Sequence, residues 1–180
     1  MANPVPVDDG AADHLIGLEL PDVALESTSG ATMRPAGFRG RLVLYVYPRT
    51  GGPAIDLPDD WDLIPGARGC TPQACAFRDH QGELMELGVT VWGLSAQPLD
   101  EQREFATRMH IPFPLLNDSD LALSRPPLML PTFTTASMTL YKRITLIVDH
   151  GVVEHVFYPV HPPERNAADV ISWLEKRALL

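Results

Sequence analysis

Two short, densely apolar runs constrain the fold of this chain more than any other feature. They are "RLVLYVY", residues 41–47, and "VTVWGLS", residues 89–95. Their β-branched and aromatic content predicts strands that are buried on both faces of a sheet. Both runs are far shorter than the roughly 20 apolar residues that cross a bilayer. We therefore expect a central sheet in a protein that has no membrane partner.

Segments with helical patterns lie between and after these strands. The pattern predicts a helix over residues 71–87, with Thr71 as its cap and Pro72 at the first helical position. Further helices are predicted over residues 98–111 and from about residue 163 onwards. Strands that alternate with helices predict an α/β protein, with a mixed central sheet flanked by helices.

The second half of the chain carries further strand signals. The stretch "RITLIVDHGVVEHVFYPV" predicts a hairpin with its turn at His150 and Gly151. A short strand is predicted in "FPLLND", residues 113–118. Prolines interrupt residues 123–138, and we predict an irregular conformation there.

Length and charge restrict the number of domains and the class of partner. At 180 residues the chain is expected to form one domain over 1–180, with a flexible segment at 1–13. Its formal net charge of −9, without a basic stripe, argues against a nucleic-acid partner. The N-terminus lacks the basic and apolar regions of a secretory signal, so we expect a cytoplasmic protein.

The segment 51–68, between the first buried strand and the first helix, has a composition typical of a loop. Its sequence "GGPAIDLPDDWDLIPGAR" contains three prolines, three glycines and four aspartates, which disfavour a helix or a central strand. We expect an ordered surface loop that is held to the protein by Trp61, Leu63 and Ile64.

The two cysteines of the chain, Cys70 and Cys75, lie at the start of the predicted helix. Residues five apart on a helix point about 140° away from each other, and their Cα atoms lie about 8 Å apart. A disulfide needs a Cα–Cα distance of at most about 7 Å, so an intact helix forbids this bond. A redox reaction between the two cysteines therefore requires the first helical turns to unwind.

A reactive cysteine needs more than a helix start. The thiolate is the nucleophile, and a free thiol with an ordinary pKa of about 8.5 is only slightly ionised at neutral pH. A helix N-terminus stabilises an anion by only about 0.3–1 kcal/mol. A nucleophilic Cys70 therefore needs a cation beside it. Arg68 is the candidate that lies near Cys70 in the sequence. Any other cation must come from a distant part of the chain that the fold places beside Cys70.

The cysteine spacing alone leaves other interpretations open. Two cysteines in a helix are commonly small core residues. A metal site is disfavoured because a C-x4-C pair without a second pair of ligands is a weak signal, and we expect neither a metal nor a cofactor. A Cys–His hydrolase has no supporting motif in this sequence.

Three segments of the chain resemble the peroxiredoxins, specifically the peroxiredoxin Q or bacterioferritin comigratory protein group. They are "LPDVALESTSGATMRPAGFRGRLVLYVYPR", "GCTPQACAFRD" and "KRITLIVDHGVVEHVF", in the order of the family. The second segment, which holds both cysteines, is the most specific. The resemblance implies a thioredoxin-like fold and a thiol peroxidase that reduces hydrogen peroxide or organic hydroperoxides.

The resemblance also implies roles for individual residues. Cys70 corresponds to the peroxidatic nucleophile and Cys75 to the resolving cysteine that forms an intramolecular disulfide with it. Arg143 matches the family arginine that stabilises the thiolate and polarises the peroxide. Arg143 is therefore expected to supply the cation, and Arg68 to be an ordinary loop residue.

The chain departs from the family pattern just before Cys70. Pro48 and Thr50 stand where the family's substrate-binding motif begins, but 21 residues separate Pro48 from Cys70 where the family has six. The segment 51–68 is thus an inserted loop. We expect either that Thr50 folds back and binds peroxide or that Thr71 takes its place. The loop is expected either to cover the site and narrow access to it or to be a tolerated surface insertion.

The function that the resemblance implies is a cytoplasmic peroxidase, regenerated by thioredoxin or a similar dithiol and active as a monomer or weak dimer. Two alternatives remain. A general thiol–disulfide oxidoreductase is expected to carry C-x-x-C, which the chain lacks. A non-enzymatic redox sensor is expected to form the bond between Cys70 and Cys75 slowly and without turnover.

Overall fold

A seven-stranded mixed sheet forms the centre of the computed structural model, which describes residues 4–179. Its strands, with two more that form a separate hairpin, are β1 (Leu25–Ser27), β2 (Thr32–Met33), β3 (Arg41–Val46), β4 (Val89–Ser95), β5 (Leu115–Asn117), β6 (Thr132–Thr134), β7 (Thr139–Tyr141), β8 (Ile144–Asp149) and β9 (Val152–Phe157). The order in the large sheet is β2-β1-β5-β4-β3-β8-β9. The predicted strands at 41–47 and 89–95 are confirmed and lie next to each other in the sheet.

The central strand β3 has partners of both directions. It runs parallel to β4 and antiparallel to β8, so that Leu44 lies between Trp92 and Leu146. Strand β5 extends the parallel part of the sheet, and β9 extends the antiparallel part. The predicted hairpin is confirmed. Its turn residues His150 and Gly151 have φ values of 48° and 85°, as a two-residue type I′ turn requires.

Four α-helices pack on one face of this sheet. They are α1 (Cys70–Asp79), α2 (Gln81–Glu86), α3 (Leu99–Arg108) and α4 (Asn166–Ala178). Phe77, Leu84, Phe105 and Val170, one from each helix, join the same buried cluster. The other face is covered by the segment around Leu15 and by short 3-10 helices at Pro35–Gly37 and Ala122–Ser124. The predicted mixed α/β sheet flanked by helices is confirmed.

The helix predicted over residues 71–87 differs from the structure in two ways. It is broken at His80 into α1 and α2, where a glycine two residues later weakens helix propagation. It also begins at Cys70, with Gly69 rather than Thr71 as the capping residue. Gly69 has a φ of 105°, and an added β-carbon would lie 2.5 Å from the ring of Pro163. The residue before α1 therefore has to be a glycine, because a distant segment packs closely against it.

The prediction of irregular structure over residues 123–138 is wrong at one point. Thr132–Thr134 forms β6, which pairs antiparallel with β7. The alternating threonines and phenylalanine are typical of a strand, but the neighbouring prolines outweighed that signal in the sequence. This small hairpin matters for the site, because its Phe133 packs against the inserted loop.

Trp61 anchors the inserted loop 51–68 as predicted, since it is 3% exposed and lies 6.2 Å from the ring of Phe133. Ile64 is half-buried beside it. Leu63 was expected to be a third anchor, but this is wrong, because its side chain is 67% exposed. The fully buried Ala67 takes its place.

The N-terminal segment makes contacts with the body of the protein. Residues 1–3 of the predicted flexible segment 1–13 lie outside the described residues. Within the rest, Asp9 accepts hydrogen bonds from Lys142 Nζ and from Tyr158 Oη. These contacts argue against free motion around Asp9. Across residues 4–179, no helix is both long and apolar enough to span a membrane.

We predict that Asp9 stabilises the folded protein in a pH-dependent manner. Hydrogen bonds from Lys142 and Tyr158 lower the pKa of Asp9 to about 2, so the folded state binds fewer protons than the unfolded state between that value and about 4. The stabilisation is therefore present above pH 4 and is lost as the pH falls towards 2. Because both partners are partly exposed, Asp9→Asn should cost at most about 1 kcal/mol at pH 7.

Urea unfolding of the wild type and Asp9→Asn at pH 7, 4 and 3 measures this effect. The difference between the two proteins should shrink as the pH falls. A difference that stays constant over this range would contradict the prediction. Asp59→Asn, which removes an exposed aspartate of the inserted loop, is the matched control.

Candidate active site

Cys70 is the first residue of α1, and its side chain is buried, with 4% exposure. The N-terminus of a ten-residue helix carries unpaired N–H groups and a partial positive charge, which favour an anion there. Gly69 holds Cys70 in this place through its close packing against Pro163. The local sequence thus supplies the helix end, and a segment almost a hundred residues away fixes its position.

Arg143 supplies a cation next to this cysteine. It lies directly before β8, is 4% exposed, and points Nη2 at Cys70 Sγ at a distance of 3.2 Å. The structure thus brings together the two residues that the family resemblance paired. Arg68, the candidate by sequence proximity, is exposed and forms an ion pair with Asp62 instead.

Arg143 is held by four neutral acceptors as well as by the thiol. Nη1 donates to Gln73 Oε1 at 2.6 Å. The two hydrogens of Nη2 are shared between Cys70 Sγ and the carbonyl oxygens of Gly66, Ala67 and Arg68, which lie 3.2, 3.2 and 3.0 Å from this nitrogen. Neutral acceptors orient a guanidinium without cancelling its charge, and a buried charge without a counter-ion is costly. The thiolate form of the cysteine can serve as that counter-ion.

Gln73 is a residue of the site that the sequence analysis missed. It is fully buried on the same face of α1 as Cys70, Ala74 and Phe77. Residues at i, i+3, i+4 and i+7 share one face of a helix, so a polar glutamine in an otherwise apolar stripe was the available signal. Gln73 Nε2 donates to Asn166 Oδ1 at 2.9 Å, which extends the network to α4.

Aromatic side chains of β3 and of the residue directly after it lie beneath this network. Tyr45 stacks on Phe77 with ring centroids 4.8 Å apart, and Tyr47 stacks on Tyr45 at 5.7 Å. Burial raises the pKa of Tyr45 and of Tyr47, so both phenols stay neutral at physiological pH. No negative charge from these two tyrosines competes with Cys70 for Arg143.

A cavity of about 470 Å³ opens beside Cys70. Thr50 and Thr71 contribute hydroxyl-bearing side chains to its wall. The inserted loop contributes Leu57, Trp61 and Ala67. Pro48, the other predicted substrate-binding residue, does not line the cavity. It is buried behind the wall, where its carbonyl oxygen accepts a hydrogen bond from Ser95 at 2.9 Å.

Thr50 is clamped in the cavity wall by Gln97. The Thr50 hydroxyl and backbone N–H both donate to Gln97 Oε1 at 3.0 Å, and Gln97 Nε2 donates back to the Thr50 carbonyl at 3.0 Å. Because the hydroxyl hydrogen is used in this way, the hydroxyl oxygen of Thr50 is left with its lone pairs as acceptors. It can accept a hydrogen bond from a substrate O–H. The sequence held no local signal for Gln97.

Cys75 lies in the middle of α1 and is half-buried, and both thiols are free. It is not part of the cavity wall. The intact helix therefore keeps Cys75 away from Cys70, as the spacing predicted. Within residues 4–179, no group of three or more His, Cys, Asp or Glu side chains is arranged to hold a metal ion.

The site combines a buried cysteine at a helix N-terminus with an arginine against its sulfur, and a mixed sheet lies behind it. These features define a protein of the thioredoxin-like class whose chemistry depends on a thiol. The Redoxin family matches residues 16–171 of the chain. The chain belongs to this family, as the resemblance in its sequence indicated.

Individual relatives narrow the group within the family. Peroxiredoxin Q of Oryza sativa subsp. japonica, a chloroplastic protein, is 29% identical over 161 residues, which are 88% of this chain and 66% of that protein. The match thus spans just under two thirds of the length of the rice protein. Peroxiredoxin Bcp of Escherichia coli is 28% identical over 88% of this chain and 94% of its own length. The crystal structure of peroxidoxin BcpB from Mycobacterium tuberculosis superposes with a TM-score of 0.72 at 24% identity, covering 91% and 98% of the two chains.

We predict that Arg143→Lys slows the reaction of Cys70 with electrophiles although it preserves the charge. A single ammonium group cannot reproduce the fork that bonds Gln73 through one nitrogen and Cys70 through the other. The rate constant for oxidation of Cys70 by hydrogen peroxide should fall about 10- to 100-fold at pH 7.

Stopped-flow tryptophan fluorescence or competition with a second peroxidase measures this rate constant. Arg125→Lys replaces an exposed arginine outside the site and is the control. Equal rates for Arg143→Lys and the control would show that the fork is not needed.

Proposed function

We propose that this chain is a thiol peroxidase that reduces hydrogen peroxide or organic hydroperoxides. The observation that carries the proposal is the 3.2 Å contact between Arg143 Nη2 and Cys70 Sγ, because Cys70 also lines a cavity together with Thr50. A nucleophile and a hydrogen-bond acceptor thus line one space, and the cation contacts the nucleophile. The names of the rice and E. coli relatives, both peroxiredoxins, support the same activity.

The geometry supports the following first step. The Cys70 thiolate attacks the terminal oxygen of ROOH, so that an S–O bond forms while the O–O bond breaks. Arg143 stabilises the negative charge that develops on the departing oxygen, and Thr50 accepts the hydrogen bond of the peroxide O–H. The departing RO⁻ takes up a proton and leaves as water or an alcohol. Cys70 is left as a sulfenic acid. Pro48 supports the wall from behind and does not contact the substrate in this scheme.

The second step forms the disulfide between Cys70 and Cys75. The Cys75 thiolate attacks the sulfur of the sulfenic acid, an S–S bond forms, and hydroxide leaves and is protonated to water. Because an intact helix keeps the two sulfurs apart, the first turns of α1 must unwind. That unwinding breaks the bonds of Gln73 to Arg143 and Asn166. A dithiol such as thioredoxin then reduces the disulfide and allows α1 to refold.

We predict distinct products for the two cysteine variants on treatment with one equivalent of peroxide. Wild type should lose two hydrogens as an intramolecular disulfide, because Cys75 resolves the sulfenic acid. Cys75→Ser should gain one or more oxygens at Cys70, since no resolving thiol remains. Cys70→Ser should react no faster than a free thiol.

Stopped-flow oxidation combined with intact mass measurement tests all three products. Rapid peroxide consumption by Cys70→Ser would overturn the assignment of the nucleophile. Disulfide formation without catalytic turnover in the presence of thioredoxin, thioredoxin reductase and NADPH would indicate a redox sensor instead. Disulfide reductase activity without peroxide would indicate a general thiol–disulfide oxidoreductase.

We also propose that the inserted loop 51–68 controls access to Cys70. Leu57, Trp61 and Ala67 form part of the cavity wall, and Arg108 ties the start of the loop to α3 by donating to the Gly51 carbonyl at 3.1 Å. Its four aspartates all point to solvent. The loop thus turns an apolar side towards the cavity and an acidic side outward.

The wall formed by Trp61 should discriminate between peroxides by size. Trp61→Ala removes the largest apolar side chain of this wall, so it should improve the reaction with a bulky peroxide such as cumene hydroperoxide relative to hydrogen peroxide. We expect the ratio of kcat/KM values for these two substrates to change about threefold or more, since one buried apolar contact contributes about 1 kcal/mol or more to discrimination.

Leu63→Ala provides a matched control for this substitution. It changes a residue of the same short 3-10 helix whose side chain is exposed, and it should leave the ratio unchanged. An unchanged ratio in Trp61→Ala would mean that the insertion is only tolerated and does not control access.

The remaining expectations concern the cellular setting. We propose a reducing compartment, with the cytoplasm as the location and a dithiol protein as the reductant, because the scheme requires both thiols to be reduced between cycles. The rice relative is chloroplastic, which is also compatible with reduced thiols. A monomer or weak dimer is sufficient, since both cysteines belong to one chain.

A further inference from the structure

Two buried polar side chains behind Cys70 have no role in the proposed attack on peroxide. Asn166, the first residue of α4, and Thr145 on β8 are 1% and 0% exposed. Neither lines the cavity beside Cys70. Buried polar side chains are costly unless each hydrogen bond is made, so their presence in this core calls for a function.

Five side chains form this continuous network. Thr145 Oγ1 donates to Asn166 Oδ1 at 2.7 Å, and Gln73 Nε2 donates to the same oxygen at 2.9 Å. Gln73 Oε1 accepts from Arg143 Nη1 at 2.6 Å, and Arg143 Nη2 reaches Cys70 Sγ at 3.2 Å. The network therefore joins β8, α4 and α1 to the sulfur atom.

The donors and acceptors in this network can be arranged in only one way at Gln73. Arginine has donors only, so Gln73 must turn its oxygen to Arg143 and its NH₂ group away. That NH₂ group then needs a buried acceptor, and Asn166 Oδ1 is the one it meets. Thr145 donates to the same oxygen and so favours the orientation in which Asn166 presents oxygen rather than nitrogen.

We infer that Asn166 is a positioning residue for Cys70, acting through Gln73 and Arg143. It keeps the Gln73 carbonyl oxygen aimed at Arg143 Nη1, and this bond holds the guanidinium against the sulfur. Without the acceptor, the Gln73 NH₂ group is buried and unpaired, and the side chain rotates to find another partner. Arg143 then loses its shortest hydrogen bond and no longer holds Nη2 at the thiol. The inference rests on the proposed function only for its relevance to peroxide reduction.

Other ionisable groups surround Cys70 but lie outside this network. They are Tyr45 of β3, Tyr47 directly after it, Cys75 of α1, and Arg49, Arg68 and Arg108 in the cavity wall. The described hydrogen bonds of these groups go to neither Gln73 nor Asn166. A change at Asn166 therefore reaches the thiol through Arg143.

The pH dependence of Cys70 alkylation by iodoacetamide tests this inference without any peroxide. The Cys75→Ser background leaves Cys70 as the one thiol of the chain. Asn166→Leu removes the acceptor at similar volume and should slow alkylation at pH 6 about three- to tenfold. At pH 10 the rate should return to that of the parent, because the thiol is then ionised in both proteins.

Two substitutions at Thr145 keep the test decisive if Asn166→Leu does not fold. Thr145→Val keeps the shape and removes the hydroxyl donor, so it should shift the profile in the same direction by a smaller amount. Thr145→Ser keeps the donor and should restore the parent profile. Ser27→Ala removes a fully buried hydroxyl on β1, at the far side of the sheet, and should leave the profile unchanged.

The results separate positioning from general destabilisation. Identical profiles for the parent, Asn166→Leu and Thr145→Val would overturn the inference. A loss of rate that is equal at pH 6 and pH 10 would also overturn it, since that pattern reflects a damaged site. The shifted profile combined with no peroxide turnover in the parent would support the positioning role and refute the proposed function.

Discussion

The buried charge of Arg143 is the constraint on which the rest of the site depends. A guanidinium in the core needs hydrogen-bond partners, and those of its two terminal nitrogens come from the inserted loop and from α1, whereas its buried Nε has no partner among the described residues. The last residues of the inserted loop offer consecutive carbonyl oxygens, α1 offers Gln73, and the start of α1 offers the sulfur of Cys70. The cation therefore locates the loop, the helix and the thiol relative to one another. None of these partners is an anionic side chain, so the charge of Arg143 stays directed at the sulfur of Cys70.

The folded form of α1 suits the reaction of Cys70 with peroxide but prevents the disulfide bond that is proposed to follow. Intact α1 places Cys70 against Arg143 and keeps Cys75 out of reach, whereas a disulfide between them needs the first turns to open. The bonds of Gln73 to Arg143 and Asn166 hold those turns in place. In the proposed cycle, these bonds must break before Cys75 can reach the oxidised sulfur of Cys70.

Sequence patterns and the observed structure agree where short-range chemistry decides. The apolar runs at β3 and β4 could only be buried strands, and the hairpin turn follows from the φ values that His150 and Gly151 tolerate. They disagree where distant contacts decide. Thr71 looked like a helix cap, but the helix begins at Cys70, after a glycine against which the distant Pro163 packs. Leu63 looked like an anchor, but apolarity alone does not say which side of a turn faces inward, and Ala67 fills that position.

The sequence by itself determined the mixed sheet, the helix that begins near Cys70 and the five-residue spacing that forbids a disulfide in the intact helix. These follow from local periodicity and helix geometry, which depend on residues close together in the chain. The family resemblance pointed to Arg143, but only the tertiary structure decided how this cation meets the sulfur and what holds it there. Arg143 and Asn166 lie 73 and 96 residues beyond Cys70. Their contacts arise because β8 pairs with β3 and the start of α4 packs on α1, and such long-range packing leaves no pattern in a local stretch of sequence.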